Sequence, residues 1–133
     1  MTIFGAIGVA GTGMTVTRKW LDAISDNIAN ASTVTPTSEE AFRSRFVLVE
    51  PMTGGDGGVQ VAGIALGSAE GRLVHEPGHP LADEDGYVRY PDVDMASQMT
   101  QLIMAQRGYQ ANAATVSRVT ESYQAALQIG RNQ

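Results

Sequence analysis

The sequence predicts an α+β protein in which long N- and C-terminal helices pair as a coiled-coil-like bundle around a small β-rich middle. Three observations carry that prediction: a heptad stripe through the last third of the chain, a matching stripe at its start, and between them a stretch that Gly and Pro break into short apolar runs. Three segments follow: an N-terminal helix over 1–33, an acidic β-rich segment over 34–93 and a C-terminal helix over 94–133.

In the first segment Ile3, Ile7, Ala10, Met14, Thr17, Leu21, Ile24, Ile28 and Ala31 alternate by four and three, and all but Thr17 are apolar. Gly5, Gly8, Gly11 and Gly13 weaken the first turns by about 1 kcal/mol each relative to Ala, so those turns should fray until something packs on them. The run from Ser32 to Ser38, β-branched and carrying Pro36, ends the helix and reads as a loop. No cleaved signal peptide is expected. No basic residue precedes the apolar run, and Arg18, Lys19, Asp22 and Asp26 stand before the cleavage-like Ala29-Asn30-Ala31.

The middle reads as hairpins. Phe42 to Glu50 predicts one strand, the glycines around Asp56 a turn, and Val59, Val61, Ile64 and Leu66 a second strand. Arg72 to His75 and Tyr87 to Tyr90 predict two more, with Asp83-Glu84-Asp85-Gly86 turning between them. His75-Glu76-Pro77-Gly78-His79 formally satisfies H-E-x-x-H, which needs both imidazoles on one helical face with the Glu as general base. Pro77, Gly78 and Pro80 oppose that helix, so the segment is expected to be a turn without a metal.

The C-terminal stripe is Met95, Met99, Leu102, Gln106, Tyr109, Ala113, Val116, Thr120, Tyr123 and Leu127. No Pro interrupts it, and Gly108 is the one Gly inside it. A two-stranded coil fixes its partner with charges beside the seam, yet the flanks here, among them Gln98, Ala105, Asn112 and Val119, carry none. An apolar seam with small neutral flanks fits a helix packed on several sides, as inside a polymer. The expectation is that the two ends come together and project the middle sideways.

Composition excludes other classes. The chain has no Cys, which removes disulfides and thiolate chemistry. Net charge is −5, with 1–31 neutral, 32–93 at −6 and 94–133 at +1, so no basic patch is available for nucleic acid. No stretch is long and apolar enough to span a bilayer. A metal-dependent hydrolase would need the helical His pair, and a secretion chaperone the charged flanks; neither feature is present.

Asn27-Ile28-Ala29-Asn30-Ala31 resembles the closing motif on the N-terminal helix of bacterial flagellar axial proteins, the rod, hook and hook-associated components. Val74 to Asp94, with Glu76-Pro77-Gly78 running into Gly86-Tyr87-Val88 and Pro91-Asp92-Val93-Asp94, resembles the basal-body rod branch, its proximal members most closely. Arg107-Gly108-Tyr109-Gln110-Ala111-Asn112 is similar to the same branch, and Ala41-Phe42, His79, Asp92 and Gly108 depart from it.

The resemblance implies a self-assembling structural subunit of the proximal rod that carries torque from membrane ring to hook, with no catalytic residues and no cofactor. Its partners would be itself, other rod proteins, and the membrane-ring and export-gate junction. It would leave by flagellar type III export and reside in the rod within the periplasmic space, serving motility. The residues expected to form the assembly interface are Ile7, Met14, Leu21, Ile24, Asn27, Ile28 and Asn30 on the first helix. On the second they are Met99, Leu102, Arg107, Tyr109, Gln110, Asn112, Val116, Tyr123 and Leu127. The termini are expected to be partly disordered in the free chain and to fold on joining the polymer.

Overall fold

The computed structural model describes residues 2–131; Met1, Asn132 and Gln133, which the terminal segments above include, lie outside the described residues. Two helices and two hairpins follow in the order α1 (Ile3–Asn30), β1 (Arg45–Pro51), β2 (Val59–Leu66), β3 (Arg72–His75), β4 (Tyr87–Tyr90) and α2 (Met95–Arg131). The α+β architecture is the one the heptad stripes and broken middle predict.

Each helix starts on a side chain suited to the task. The Thr2 hydroxyl accepts the Gly5 N–H at 3.0 Å, satisfying one of the donors that the first turn of α1 leaves free. At α2 the Asp94 carboxylate accepts the Ser97 N–H at 3.3 Å. α1 closes on Asn30, whose amide donates to the Asp26 carbonyl at 2.8 Å.

β1 and β2 pair antiparallel with a bulge, since Leu48 faces Gly63 and Val49 faces Val61, leaving Ala62 the extra residue. Their connection turns through Gly54, Gly55, Gly57 and Gly58, all at positive φ, which side-chain-bearing residues adopt only with strain. β3 and β4 form a second antiparallel pair in continuous register, Arg72 opposite Tyr90 and His75 opposite Tyr87. The loop after α1 fastens that second pair. Thr35 and Arg89 exchange two backbone hydrogen bonds of 2.9 Å, and the Ala41 N–H donates to the Ala69 carbonyl at 2.9 Å.

The middle does not simply project sideways. Both strands of the first hairpin lie against α1. The hairpin base is tied to α1 at Asn27, and its glycine-rich tip reaches the first turns of the helix, where the Thr12 hydroxyl accepts the Val59 N–H at 3.1 Å. The core is accordingly thin and follows α1, with Ala10, Val16, Ala23 and Ile24 buried along it and Ala41 and Val88 buried in the middle segment.

Candidate assembly interface

The helices run antiparallel, and four contacts record their register. From one end to the other, Asn27 meets Gln98, Trp20 meets Gln101, Gly13 meets Asn112, and Phe4 meets Tyr123. The best-buried of these contacts is a three-way amide junction. Asn27, 1% exposed, donates from Nδ2 to the Arg45 carbonyl at 3.0 Å and to Gln98 Oε1 at 3.1 Å, while its Oδ1 accepts the Arg45 N–H at 2.7 Å. One side-chain amide thus behaves toward the first residue of β1 as a neighbouring strand's peptide would, and also reaches α2. An ion pair between Arg45 and Asp26 flanks it.

Further along, the Trp20 indole N–H donates to Gln101 Oε1 at 3.3 Å, and Gln101 Nε2 bonds the Ser97 hydroxyl at 3.2 Å. Then the backbones come close. A Cβ at Gly13 would stand 2.8 Å from Asn112 Nδ2, and one at Gly108 would stand 3.2 Å from Thr17 Cγ2, so both glycines make room for side chains of the facing helix. Gly108, which departs from the resembling family, is used in the packing.

This seam differs from the stripe that hydrophobicity singles out. The steps of seven that face α1 are Gln98, Ala105, Asn112 and Val119, which the sequence reading places on the flank, and only Gln98 and Ala105 of α2 are buried. The physical reason is room. Helices that approach at glycines leave space for small residues and for amides that can bond across the gap, whereas Met and Leu stand farther out. Met95, Met99, Ile103, Met104 and Leu127 are exposed.

The expected interface residues divide accordingly. Ile24 and Asn27 are buried within the chain; Ile7, Met14, Leu21, Ile28, Asn30, Leu102, Tyr109, Asn112 and Val116 are half-buried; Met99, Arg107, Gln110, Tyr123 and Leu127 are exposed. Sequence reasoning missed Gln98, Trp20 and Gln101. The available signal was the pairing of uncharged amides at helical spacing on the two helices. It also missed the first hairpin as a surface: Phe46, Leu48, Val49, Ile64 and Leu66 are each between 42 and 54% exposed. Fully burying such a side chain is worth about 1.5–3 kcal/mol, so this face gains substantially from a partner.

The His75 to His79 stretch has the geometry of a strand end followed by turns. His75 closes β3 with its ring against Tyr87 at 5.0 Å, and His79 Nδ1 accepts the Leu81 N–H at 3.0 Å. Among the described residues no group of three or more His, Cys, Asp or Glu could hold a metal ion. Nearby charges serve the turn. Asp83 accepts the Tyr87 N–H at 2.8 Å, the Thr37 hydroxyl at 2.9 Å and the Asp85 N–H at 3.1 Å, and these bonds, that from Tyr87 foremost, hold its carboxyl below the usual carboxylate range. The Tyr90 hydroxyl donates to Glu76 at 3.1 Å, which raises its pKa.

A seam completed inside one chain, beside unpartnered apolar surfaces on α2 and the first hairpin, defines the class: a subunit shaped for assembly, whose long terminal helices pack antiparallel along the length of α1. Residues 7–37 match the family described as flagella basal body rod protein, and residues 84–129 match that described as flagellar basal body rod FlgEFG protein C-terminal. The chain is 34% identical over 134 residues to the flagellar basal-body rod protein FlgC of Salmonella typhimurium, covering 98% of this chain and all of that one. FlgC of Borreliella burgdorferi is 32% identical over 149 residues, covering 97% of this chain and 98% of its own, and FlgC of Bacillus subtilis 28% over 152 residues, covering 98% and 100%. The chain belongs to the FlgC-like family of flagellar basal-body rod proteins.

Proposed function

We propose that this chain is a non-enzymatic structural subunit of the bacterial flagellar basal-body rod, in its proximal part, where it joins other copies and related rod proteins to transmit torque from the membrane ring toward the hook. The observation that carries the reading is the combination of an end-to-end similarity to FlgC proteins with a fold that leaves large apolar side chains of α2 and the first hairpin uncovered. Its neighbours at the inner end are the membrane-ring and export-gate components, and it reaches the periplasmic space through the flagellar type III apparatus without a cleaved signal. The interface is built from the residues named above that remain exposed or half-buried, Met99, Leu102, Tyr109, Val116, Tyr123 and Leu127 of α2 foremost. Burying them against neighbours orders the distal helix ends, whose conformational entropy would otherwise oppose packing.

The experiment is deletion with complementation. Loss of the chain should abolish motility and leave basal bodies without rods, and the wild-type sequence should restore both. Normal rods in the deletion strain would refute the assignment.

A further inference from the structure

α2 outruns its partner. Near the start of α1, which begins at Ile3, Phe4 meets Tyr123 with ring centroids 5.6 Å apart. α2 continues to Arg131, eight residues past that contact, or about 12 Å at 1.5 Å per residue. Every residue from Glu121 to Arg131 is exposed. The seam does not stop with α1: the seven-residue steps Gln98, Ala105, Asn112 and Val119 land next on Ala126, with Tyr123, Leu127 and Gly130 beside it. The free end therefore continues a helix-packing face that has lost its helix.

A matching vacancy lies on the hairpin side of α1. Thr12, Thr15, Val16 and Lys19 of α1 with Val59, Gln60, Val61 and Ile64 of β2 line a mostly apolar groove of about 380 Å³. The free end of α2 cannot fill the groove of its own chain, because it extends away from it along the helix axis. We propose that it fills the groove of a second copy. This deepens the rod-subunit reading and rests on it.

Charge sets the direction. With both copies pointing the same way, Glu121 comes level with Lys19 at the lower end of the groove, and Arg131 comes level with Glu50 and Asp56 toward the hairpin tip, which packs by the first turn of α1. Turning the arriving helix end for end sets Arg131 beside Lys19 and Glu121 beside the acidic tip. The parallel arrangement joins opposite charges and the inverted one like charges, which orients the contact more than it strengthens it. Placing Glu121 beside Lys19 of the next copy shifts the two copies along the axis by on the order of 20 Å. A head-to-tail contact of this kind uses different surfaces on its two sides and so propagates rather than closing on itself as a two-fold dimer.

The chain has no Cys, so a cross-link can be read without background. Gln124→Cys and Gln60→Cys in one chain, treated in isolated basal bodies with a short bismaleimide, should give products containing two or more copies. Phe4→Cys with Tyr123→Cys, whose rings touch, reports an intact helix pair within one copy. Lys19→Glu or Glu121→Lys alone should lower the intermolecular yield severalfold, and the two together should restore it. The inference is overturned if rods contain the chain without that adduct, if the adduct joins one copy to a different rod protein, or if the charge swap does not restore yield. Absence of the chain from purified rods would instead refute the rod-subunit reading, which separates the two failures.

Discussion

Replacing Asn27 by Ala tests the amide junction and the claim that α1, β1 and α2 form one folding unit. The change leaves the Arg45 N–H, the Arg45 carbonyl and Gln98 Oε1 without their partner in a site where Asn27 is 1% exposed and Gln98 4% exposed. The orphaned Gln98 Oε1 costs about 1–3 kcal/mol and the two part-buried Arg45 groups about 1 kcal/mol each, while the better helix propensity of Ala returns about 0.5 kcal/mol, for a net loss of about 2.5–4.5 kcal/mol. That is a large share of the roughly 5–15 kcal/mol that holds a domain together. Urea unfolding of the purified chain, followed by far-UV circular dichroism and by fluorescence of Trp20, the only Trp, should show the midpoint falling by on the order of 2 M. Asn30→Ala removes a bond within the half-buried last turn of α1 and should cost less than about 1 kcal/mol. Gln98→Ala combined with Asn27→Ala should cost less than the sum of the two, because each already breaks the bond they share. A loss below about 1 kcal/mol for Asn27→Ala would refute the argument, since one buried and two part-buried bonds cannot be dispensable and also organise the fold.

Amide exchange in the free chain should be graded along the helix pair, slow from Trp20 to Asn27 and from Gln98 to Ala105 and fast from Glu121 to Arg131; uniform protection through Arg131 would contradict it. Leu102→Asp, which sets a carboxylate at a half-buried position of the α2 stripe, should prevent rod formation while export continues, whereas the exposed Arg118→Ala should be tolerated; electron microscopy of basal bodies showing normal rods with Asp at position 102 would sink the reading of that stripe as an assembly surface. Because the folded-state pKa of Asp83 is depressed, its contribution to the turn is complete above its ordinary value of 3.8 and is lost as pH falls through the lower folded value. The Tyr87 amide resonance should therefore titrate with a midpoint below 3.8, and Asp83→Asn should abolish the transition; a midpoint at or above 3.8 would count against those hydrogen bonds.

Most of the secondary structure was legible because its signals are local. The stripes begin at Ile3 and Met95, the first residues of α1 and α2, and end at Ala31 and Leu127, one residue past and four residues short of the observed ends, while β3 and β4 fall on Arg72–His75 and Tyr87–Tyr90 as their turn residues predict. The face on which the helices meet was not legible. A heptad count weighs hydrophobicity, and it selected Met95, Met99 and Leu127, which stand exposed, over Gln98 and Asn112, whose amides need the facing Asn27 and Gly13 to make sense. Asn27 itself was singled out through the resembling motif, as a residue of the expected interface with a neighbour. The neighbour turned out to include the backbone of Arg45, 18 residues on, a pairing that periodicity does not encode. The placement of the first hairpin along α1 depends on the same long-range bonds together with the Thr12 to Val59 contact.

The spacing of the two helices at Gly13 and Gly108 has a consequence for construction tolerances. A methyl at position 13 would meet three atoms of the Asn112 amide between 2.8 and 3.0 Å away, so unless that amide gives up its bond to the Gly108 carbonyl and turns aside, the facing helix moves outward by some tenths of an ångström. In one isolated molecule that displacement is absorbed by exposed side chains. In a wall made of identical parts the same widening enters every position around the circumference, and errors of one sign add instead of averaging. These two glycines, 95 residues apart in sequence, therefore act as the gauge that fixes part size. Their replacement is expected to show first in the diameter or closure of the assembled wall and only later in the stability of the single chain.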